Sequence, residues 1–326
     1  MDSLVGGVGR GLITRERIAL ADLRATLVEA EAGVDAVDAV RTALADLDGL
    51  FLLVVCGEYN AGKSSLINAL LRDEVMPEGV TPTTDRITVL GYGPAEERVD
   101  EGGVAYRLAE VPALRDLALV DTPGTNAVIA RHQELTERFV PRADLVLFVT
   151  SADRPFTGSE RTFLELIASW GKKIVLVVNK VDLLDDEASR DEVTSFVAEH
   201  AREVLREGAG ADARPRVFAV SARAARRARQ ADDAAALEAS GLPTLERFVA
   251  GELSDLERLR LKLASPLGVG VRLARDAQAT LRARLELLDD DRSTLDAVGR
   301  QREQFEREMR REAHTYLSRV KTALLE

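Results

Sequence analysis

The sequence contains a loop of the type that binds phosphate. Gly57 to Ser64 fits the pattern G-x-x-x-x-G-K-S, and it follows an aliphatic run that ends at Val55. In such a loop, glycines let main-chain N–H groups converge on phosphate oxygens, and the helix that follows adds a favourable field. Lys63 is expected to bridge the outer phosphates and the Ser64 hydroxyl to ligate Mg²⁺. Nucleotide contacts are predicted along the whole segment: Gly57, Glu58, Tyr59, Asn60, Ala61, Gly62, Lys63, Ser64 and Ser65.

Two further segments are expected to complete a magnesium and phosphate site. Asp121 ends the apolar run that begins at Leu117, so its carboxylate can hold a magnesium-bound water, and Gly124 can offer its N–H to the terminal phosphate. A threonine between residues 79 and 85 can ligate Mg²⁺ only when the terminal phosphate is present. Thr84 is the favoured ligand and Thr83 the alternative. The predicted metal ligands are therefore Ser64, Thr84 and Asp121.

A third segment predicts which base is bound. Asn179 to Asp182 reads N-K-x-D at the end of another aliphatic run. The Asp182 carboxylate can accept both the ring N–H and the amino group of guanine, which adenine does not present together. We expect Lys180 to lay its stem over the ring and Asn179 to tie its loop to the phosphate loop. Ser221 and Ala222 fit a weaker element whose main chain contacts the guanine oxygen.

These loops require a sheet to position them. From Leu50 onward, short aliphatic runs alternate with helix-length segments, which predicts an α/β fold with a mostly parallel sheet. On both sides the apolar residues take a helical period, so we predict an N-terminal helical segment (1–48), a GTPase domain (49–253) and a C-terminal helical segment (254–326). The first segment is predicted to form one amphipathic helix or a helix pair, with Gly33 as the candidate break.

The C-terminal segment has two predicted features. Pro266, Gly268 and Gly270 are expected to mark a hinge or break. Beyond them, an apolar stripe at helical spacing favours helix–helix packing over lipid binding, with the N-terminal helix as its partner. Its members are Leu281, Leu285, Leu288, Leu295, Val298, Phe305, Met309, Tyr316, Val320 and Leu324.

Composition excludes several other classes of protein. The 326 residues include 44 Lys+Arg against 55 Asp+Glu, a formal charge of −11, and only 4% are aromatic, which disfavours nucleic-acid binding as the main activity. The single cysteine, Cys56, rules out an internal disulfide, and the three histidines lack zinc-ligand spacing. The apolar runs are strand-length and no secretory signal is evident, so we expect a cytoplasmic protein whose membrane contact is peripheral.

Taken together, the motifs resemble the GTP-binding domain of dynamin-superfamily proteins, in the bacterial dynamin-like and mitofusin-like branch. The resemblance rests on Gly57 to Leu71, on Val80 to Thr84 and on Ser151 to Pro155, and the flanking helices resemble a trunk bundle assembled from both sides. It implies Mg²⁺-dependent GTP hydrolysis, stimulated by self-association across the nucleotide face or by a partner dynamin-like chain. It also implies membrane remodelling at the inner face of the cell membrane.

The sequence departs from the family pattern in two places. No apolar tip follows the last helical segment, which suggests an amino-terminal fragment or one half of a partnered system, and Thr125 stands where a catalytic glutamine is often found. Catalysis is assigned to Lys63, Thr84, Gly124 and Asn60, with Asn60 resembling the asparagine of potassium-activated GTPases and so predicting a K⁺ site. A local loop hydrogen bond is the alternative role for Asn60. Two other functions stay open: an Era-like GTPase acting on ribosomal or other RNA, and a GTP-dependent scaffold without appreciable turnover.

Overall fold

The computed structural model describes residues 7–77, 86–100, 104–115, 117–122, 138–209, 215–252 and 255–325. Their strands are β1 (Phe51–Gly57), β2 (Thr88–Tyr92), β3 (Glu96–Val99), β4 (Ala105–Ala109), β5 (Leu117–Asp121), β6 (Leu145–Ser151), β7 (Ile174–Asn179) and β8 (Arg216–Ala219). Their α-helices are α1 (Gly7–Glu29), α2 (Val34–Asp46), α3 (Lys63–Leu71), α4 (Gly158–Ala168), α5 (Glu187–Ala209), α6 (Ala222–Gln230), α7 (Ala234–Ala239), α8 (Leu242–Glu252) and α9 (Asp255–Leu325).

The strands form one sheet in the order β3-β4-β2-β5-β1-β6-β7-β8. Strands β5, β1, β6, β7 and β8 are parallel, whereas β2 runs antiparallel to β5 and β3 antiparallel to β4. The predicted mostly parallel α/β fold is therefore confirmed. Strands β3 and β4 are not apparent in the sequence, because β3 is exposed and mostly charged and β4 is mostly half-buried, so neither gives an aliphatic run.

Alternation along β1 explains the two layers of the core. Leu52, Val54 and Cys56 belong to an apolar cluster on one face of the sheet, with residues of α4 and α5. Phe51, Leu53 and Val55 belong to a second cluster on the other face, with residues of α3 and α6. Because both faces are covered, the central strands are apolar throughout, as expected for parallel strands. The same parallel register brings the carboxyl ends of these strands to one edge.

The N-terminal segment forms the predicted helix pair. Helix α1 ends at Glu29 and α2 begins after Gly33, its N-cap residue, so the break predicted at Gly33 is confirmed. Arg142, ahead of β6, forms an ion pair with Asp46 at the end of α2, with 2.9 Å between Nη2 and Oδ1. The ion pair between Arg142 and Asp46 thus fixes the end of α2 beside the sheet.

The hinge predicted at Pro266, Gly268 and Gly270 is wrong. Helix α9 continues through all three residues, with Pro266 inside it. The glycines instead allow close packing: a Cβ on Gly268 would lie 3.3 Å from the Trp170 carbonyl oxygen, and one on Gly270 would lie 3.1 Å from Leu20 Cδ2. Tertiary contacts therefore hold the helix together where local propensity alone would interrupt it.

The chain divides into two compact units, Met1–Leu273 and Ala274–Glu326. The apolar stripe lies in the second unit, and its pairing with the N-terminal helix stays a prediction. The large apolar side chains of the stripe from Leu281 to Val320 are exposed, whereas Leu20 and Leu27 of α1 are buried within the first unit. Helix α1 meets α9 near Gly270, before the stripe begins. Among the described residues, no helix combines the length and hydrophobicity needed to cross a membrane.

Candidate functional site

The phosphate loop between β1 and α3 depends on two glycines. Gly57 has φ +145°, and a Cβ there would lie 1.9 Å from the Val149 carbonyl oxygen. Gly62 has φ +83°, and a Cβ there would lie 2.3 Å from Asn179 Nδ2. Asn60 also has a positive φ, +62°, and its side chain is exposed. The loop conformation is therefore fixed by neighbouring strands, and two of its positions have no room for a side chain.

Lys63 is the first residue of α3 and is buried. Its Nζ donates to the main-chain oxygens of Gly57, at 3.1 Å, and Glu58, at 2.9 Å. Burial lowers the pKa of Lys63, and the negative charge of Asp121 opposes that shift. The ammonium group is thus held against the loop main chain, where a bound phosphate would supply its counter-charge.

The two described members of the predicted metal site are in contact. The Ser64 hydroxyl donates to Asp121 Oδ2 at 3.0 Å. Strand pairing explains the proximity, because Asp121 ends β5 in register with Val55 of β1. A hydroxyl and a carboxylate are hard oxygen ligands, so this donor set suits Mg²⁺. Thr84, the third predicted ligand, lies outside the described residues, as do Thr83 and Gly124.

The base-recognition segments also converge on this edge. Asn179, at the end of β7, donates from Nδ2 to the Ala61 carbonyl oxygen at 3.0 Å, which is the expected tie to the phosphate loop. Its Oδ1 accepts from the Ala222 N–H at 3.2 Å. The Ser221 hydroxyl donates to Asp182 Oδ1 at 2.5 Å. This last contact was not foreseen from the sequence, and it orients the carboxylate assigned to guanine.

A further segment at the same edge was only partly anticipated. After β6, the N–H of Ala152 donates to the Asn179 carbonyl oxygen at 2.9 Å, which fixes the loop that carries Asp153 and Arg154. Both side chains line a small cleft together with residues of the phosphate loop and Lys180. The exposed Arg154 therefore lies at the edge of the predicted nucleotide site.

Sequence reasoning missed the residues that begin α4. Thr157 and Glu160 form a capping box, in which the Thr157 hydroxyl accepts from the Glu160 N–H and the Glu160 carboxylate accepts from the Thr157 N–H. Glu160 also accepts from the Thr150 hydroxyl at 2.9 Å. Burial raises the pKa of Glu160 to about 7. The spacing T-x-x-E was visible in the sequence and would have identified this helix start.

Comparisons with known proteins agree with this geometry. The family model described as "50S ribosome-binding GTPase" matches residues 52–180. The chain is 36% identical over 280 residues to "Probable transmembrane GTPase FZO-like, chloroplastic" of Arabidopsis thaliana, covering 78% of this chain and 30% of that protein. It is 27% identical over 271 residues to "Bacterial dynamin-like protein" of Nostoc punctiforme, covering 65% of this chain and 39% of that protein.

A solved structure supports the same fold. It is titled "An oligomerised bacterial dynamin pair provides a mechanism for the long range sensing and tethering of membranes". It aligns with 90% of this chain and 50% of its own length, with a TM-score of 0.56 and 18% identity. The chain spans half or less of these relatives' lengths.

The fold and the converging loops define a P-loop GTPase domain. The domain is preceded and followed by helices, and the sequence similarity extends well beyond residues 52–180. Over most of its length the chain is similar to dynamin-like GTPases, the resemblance that its motifs predicted.

Proposed function

We propose that this chain binds GTP with Mg²⁺ at the carboxyl edge of its sheet and couples GTP hydrolysis to membrane remodelling. The observation that carries the proposal is the convergence of four loops. Ser64 of the phosphate loop contacts Asp121, Asn179 contacts the phosphate loop, and Ser221 contacts Asp182. These loops come from separate parts of the chain, and each matches a motif assigned to a different part of the same ligand.

In this proposal each residue has one task. Lys63 bridges the outer phosphates, and Ser64, Asp121 and Thr84 hold the metal ion, whose charge offsets that of the phosphates. Gly124 donates its N–H to the terminal phosphate. Asp182 binds the guanine edge in the orientation that Ser221 gives it. The tight packing of Gly57 and Gly62 against Val149 and Asn179 supports these assignments, because it fixes the loop main chain whose N–H groups are expected to bind the phosphates.

Because Thr125 stands where a water-positioning glutamine is often found, water must be positioned by other means, and the charge that develops during hydrolysis must also be offset. We assign this task to a K⁺ ion held by the Asn60 amide oxygen. Asn60 is exposed in the phosphate loop, and it lines the same cleft as Arg154 and Lys180. Equal turnover in sodium and potassium buffers, together with an unchanged Asn60→Ala variant, would contradict this assignment.

The helical segments supply the mechanical part of the proposal. Residues 1–48 and 254–326 are expected to act as a bundle that carries motion from the GTPase domain (49–253) to a peripheral site on the inner face of the cell membrane. Support comes from the named relatives and from α9, a single helix of 71 residues that starts beside the GTPase domain. Self-association across the nucleotide face, or pairing with a second dynamin-like chain, is expected to raise turnover.

The test is GTP turnover measured against protein concentration in potassium buffer, with and without anionic liposomes. We expect specific activity to rise with protein concentration and to rise further with liposomes. Lys63→Ala is the control, because loss of the phosphate-bridging ammonium should abolish binding or hydrolysis. Turnover that is independent of concentration and liposomes but rises with ribosomal RNA would favour the Era-like alternative. Tight GTP binding without turnover would favour the scaffold.

A further inference from the structure

The Glu58 side chain joins the phosphate loop to the start of α4. Its Oε1 accepts from the Thr157 hydroxyl at 2.6 Å and from the Ser159 hydroxyl. Thr157 is the N-cap of α4, and Ser159 lies in its first turn. A carboxylate at a helix N-terminus is favoured by the helix dipole, and hydrogen bonds to a charged acceptor are stronger than neutral ones. The carboxylate is therefore anchored on an element that is remote in sequence.

The main chain of the same residue holds the lysine of the site. The Glu58 carbonyl oxygen accepts from Lys63 Nζ at 2.9 Å. Residue 58 thus has two anchors: its side chain is fixed to α4, and its carbonyl fixes the ammonium group. If the first anchor is removed, the carbonyl is free to shift, and the ammonium group shifts with it.

The helix that supplies the first anchor is itself held firmly. Its capping box is complete, and Glu160 is buried and bonded to the Thr150 hydroxyl of β6. Helix α4 therefore provides a fixed support for the loop.

We propose that Glu58 is a positioning residue: its carboxylate, held by the Thr157 and Ser159 hydroxyls, places Lys63 for contact with the outermost phosphate of a nucleoside triphosphate. The inference rests on the proposed function in one respect, that Lys63 bridges the outer phosphates. It goes beyond that function by assigning the selectivity for triphosphate over diphosphate to a contact between the phosphate loop and α4.

The inference predicts unequal effects on the binding of GTP and GDP, whereas a general loss of fold stability would weaken the binding of both nucleotides alike. Displacement of Lys63 should weaken the binding of GTP more than that of GDP. Only GTP carries the outermost phosphate, which lies at the far end of the reach of the Lys63 side chain. We expect Ser159→Ala, and more strongly Thr157→Val with Ser159→Ala, to weaken GTP binding by about 10-fold, as expected for lost hydrogen bonds to a charged group. GDP binding should change by less than about 3-fold, since it needs only the inner contacts.

The experiment measures the dissociation constants of GTP and GDP for the full chain with Mg²⁺. Thr157→Ser keeps the hydroxyl and should restore the wild-type ratio of the two constants. Thr162→Val is the matched control, because the Thr162 hydroxyl lies in the same helix but bonds the Gly158 carbonyl oxygen. Because Ser159 is not the cap residue, its variant separates the Glu58 contact from capping.

Three results would overturn the inference: an equal loss of GTP and GDP affinity, no loss of either, or a Thr157→Ser variant as impaired as the double variant. A change in the ratio in Thr162→Val would also count against it. If the wild-type chain binds neither nucleotide, the proposed function itself fails, so the two failures are distinguishable.

Discussion

Replacing Asp144 should destabilise the fold strongly, because Asp144 is the buried counter-charge of Lys262. Lys262 Nζ lies 3.1 Å from Asp144 Oδ2, and the side chains are 6% and 2% exposed. Each also bonds the main chain at the start of β1: Lys262 donates to the Leu50 carbonyl oxygen at 2.7 Å, and the Leu52 N–H donates to Asp144 at 2.8 Å. The pair therefore fastens α9 to the edge of the sheet opposite the nucleotide site.

The magnitude follows from what each substitution leaves behind. Asp144→Asn keeps an acceptor for the Leu52 N–H but leaves the Lys262 ammonium buried without a counter-charge, which should lower the free energy of unfolding by about 3 kcal/mol. Lys262→Met leaves a buried carboxylate, and burial already raises the pKa of Asp144. The double variant removes both charges, so its loss should be smaller than the sum of the single losses by at least about 1.5 kcal/mol.

The assay is urea unfolding followed by the fluorescence of Trp170, the single tryptophan of the chain. Trp170 reports on this region because the Arg272 guanidinium of α9 lies 4.0 Å from its ring centroid. The Arg247–Glu238 pair is the control: it is separated by 3.1 Å but is more than 60% exposed, so its removal should cost under about 0.5 kcal/mol. Additive losses in the Asp144 and Lys262 double variant would refute the reasoning.

Three further predictions concern the site and the residues beside it. Gly62→Ala should weaken GTP binding by about 10-fold or more in a nucleotide titration, because the new Cβ would collide with Asn179 and the positive φ of residue 62 is strained for alanine. Unchanged affinity would contradict the loop geometry. Asp182→Asn should reduce the preference for GTP over inosine triphosphate, which lacks the amino group, and Ser221→Ala should reduce that preference less. An equal preference in the wild type and both variants would argue against the assigned contact. Burial raises the pKa of Glu160 from 4.5 to about 7, so the folded state keeps a proton that the unfolded state releases, and the free energy of unfolding should fall as pH rises from about 4.5 to 7. Glu160→Gln should remove this pH dependence from the urea midpoints. An unchanged pH dependence in the variant would mean that another group titrates.

The motifs could be read from the sequence because their chemistry is local. A glycine-rich loop ending in Lys63 and Ser64 specifies a phosphate contact through residue types at fixed spacing. The alternation of aliphatic runs and helix-length segments likewise predicts the parallel strands, since strands buried on both faces need continuous apolar runs. The converging contacts at Asp121 and Asn179 follow once the strands are aligned.

Other features depended on packing between distant segments. Pro266, Gly268 and Gly270 indicate a break by local propensity, yet α9 runs through them because the glycines lie against Trp170 and α1. Nothing local at Lys262 or Asp144 predicts their buried pairing, since charged residues are usually exposed.

The sequence by itself determined the nucleotide motifs, their order and the class of sheet that carries them, because each of these depends on residue types at short spacing. Only the tertiary structure decided that Glu58 is anchored on α4, that Ser221 orients Asp182, and that α9 is continuous. These features depend on contacts between residues far apart in the chain, such as Glu58 and Ser159, which are 101 positions apart. Such contacts form only when the whole sheet brings their segments together, so no short stretch of sequence encodes them.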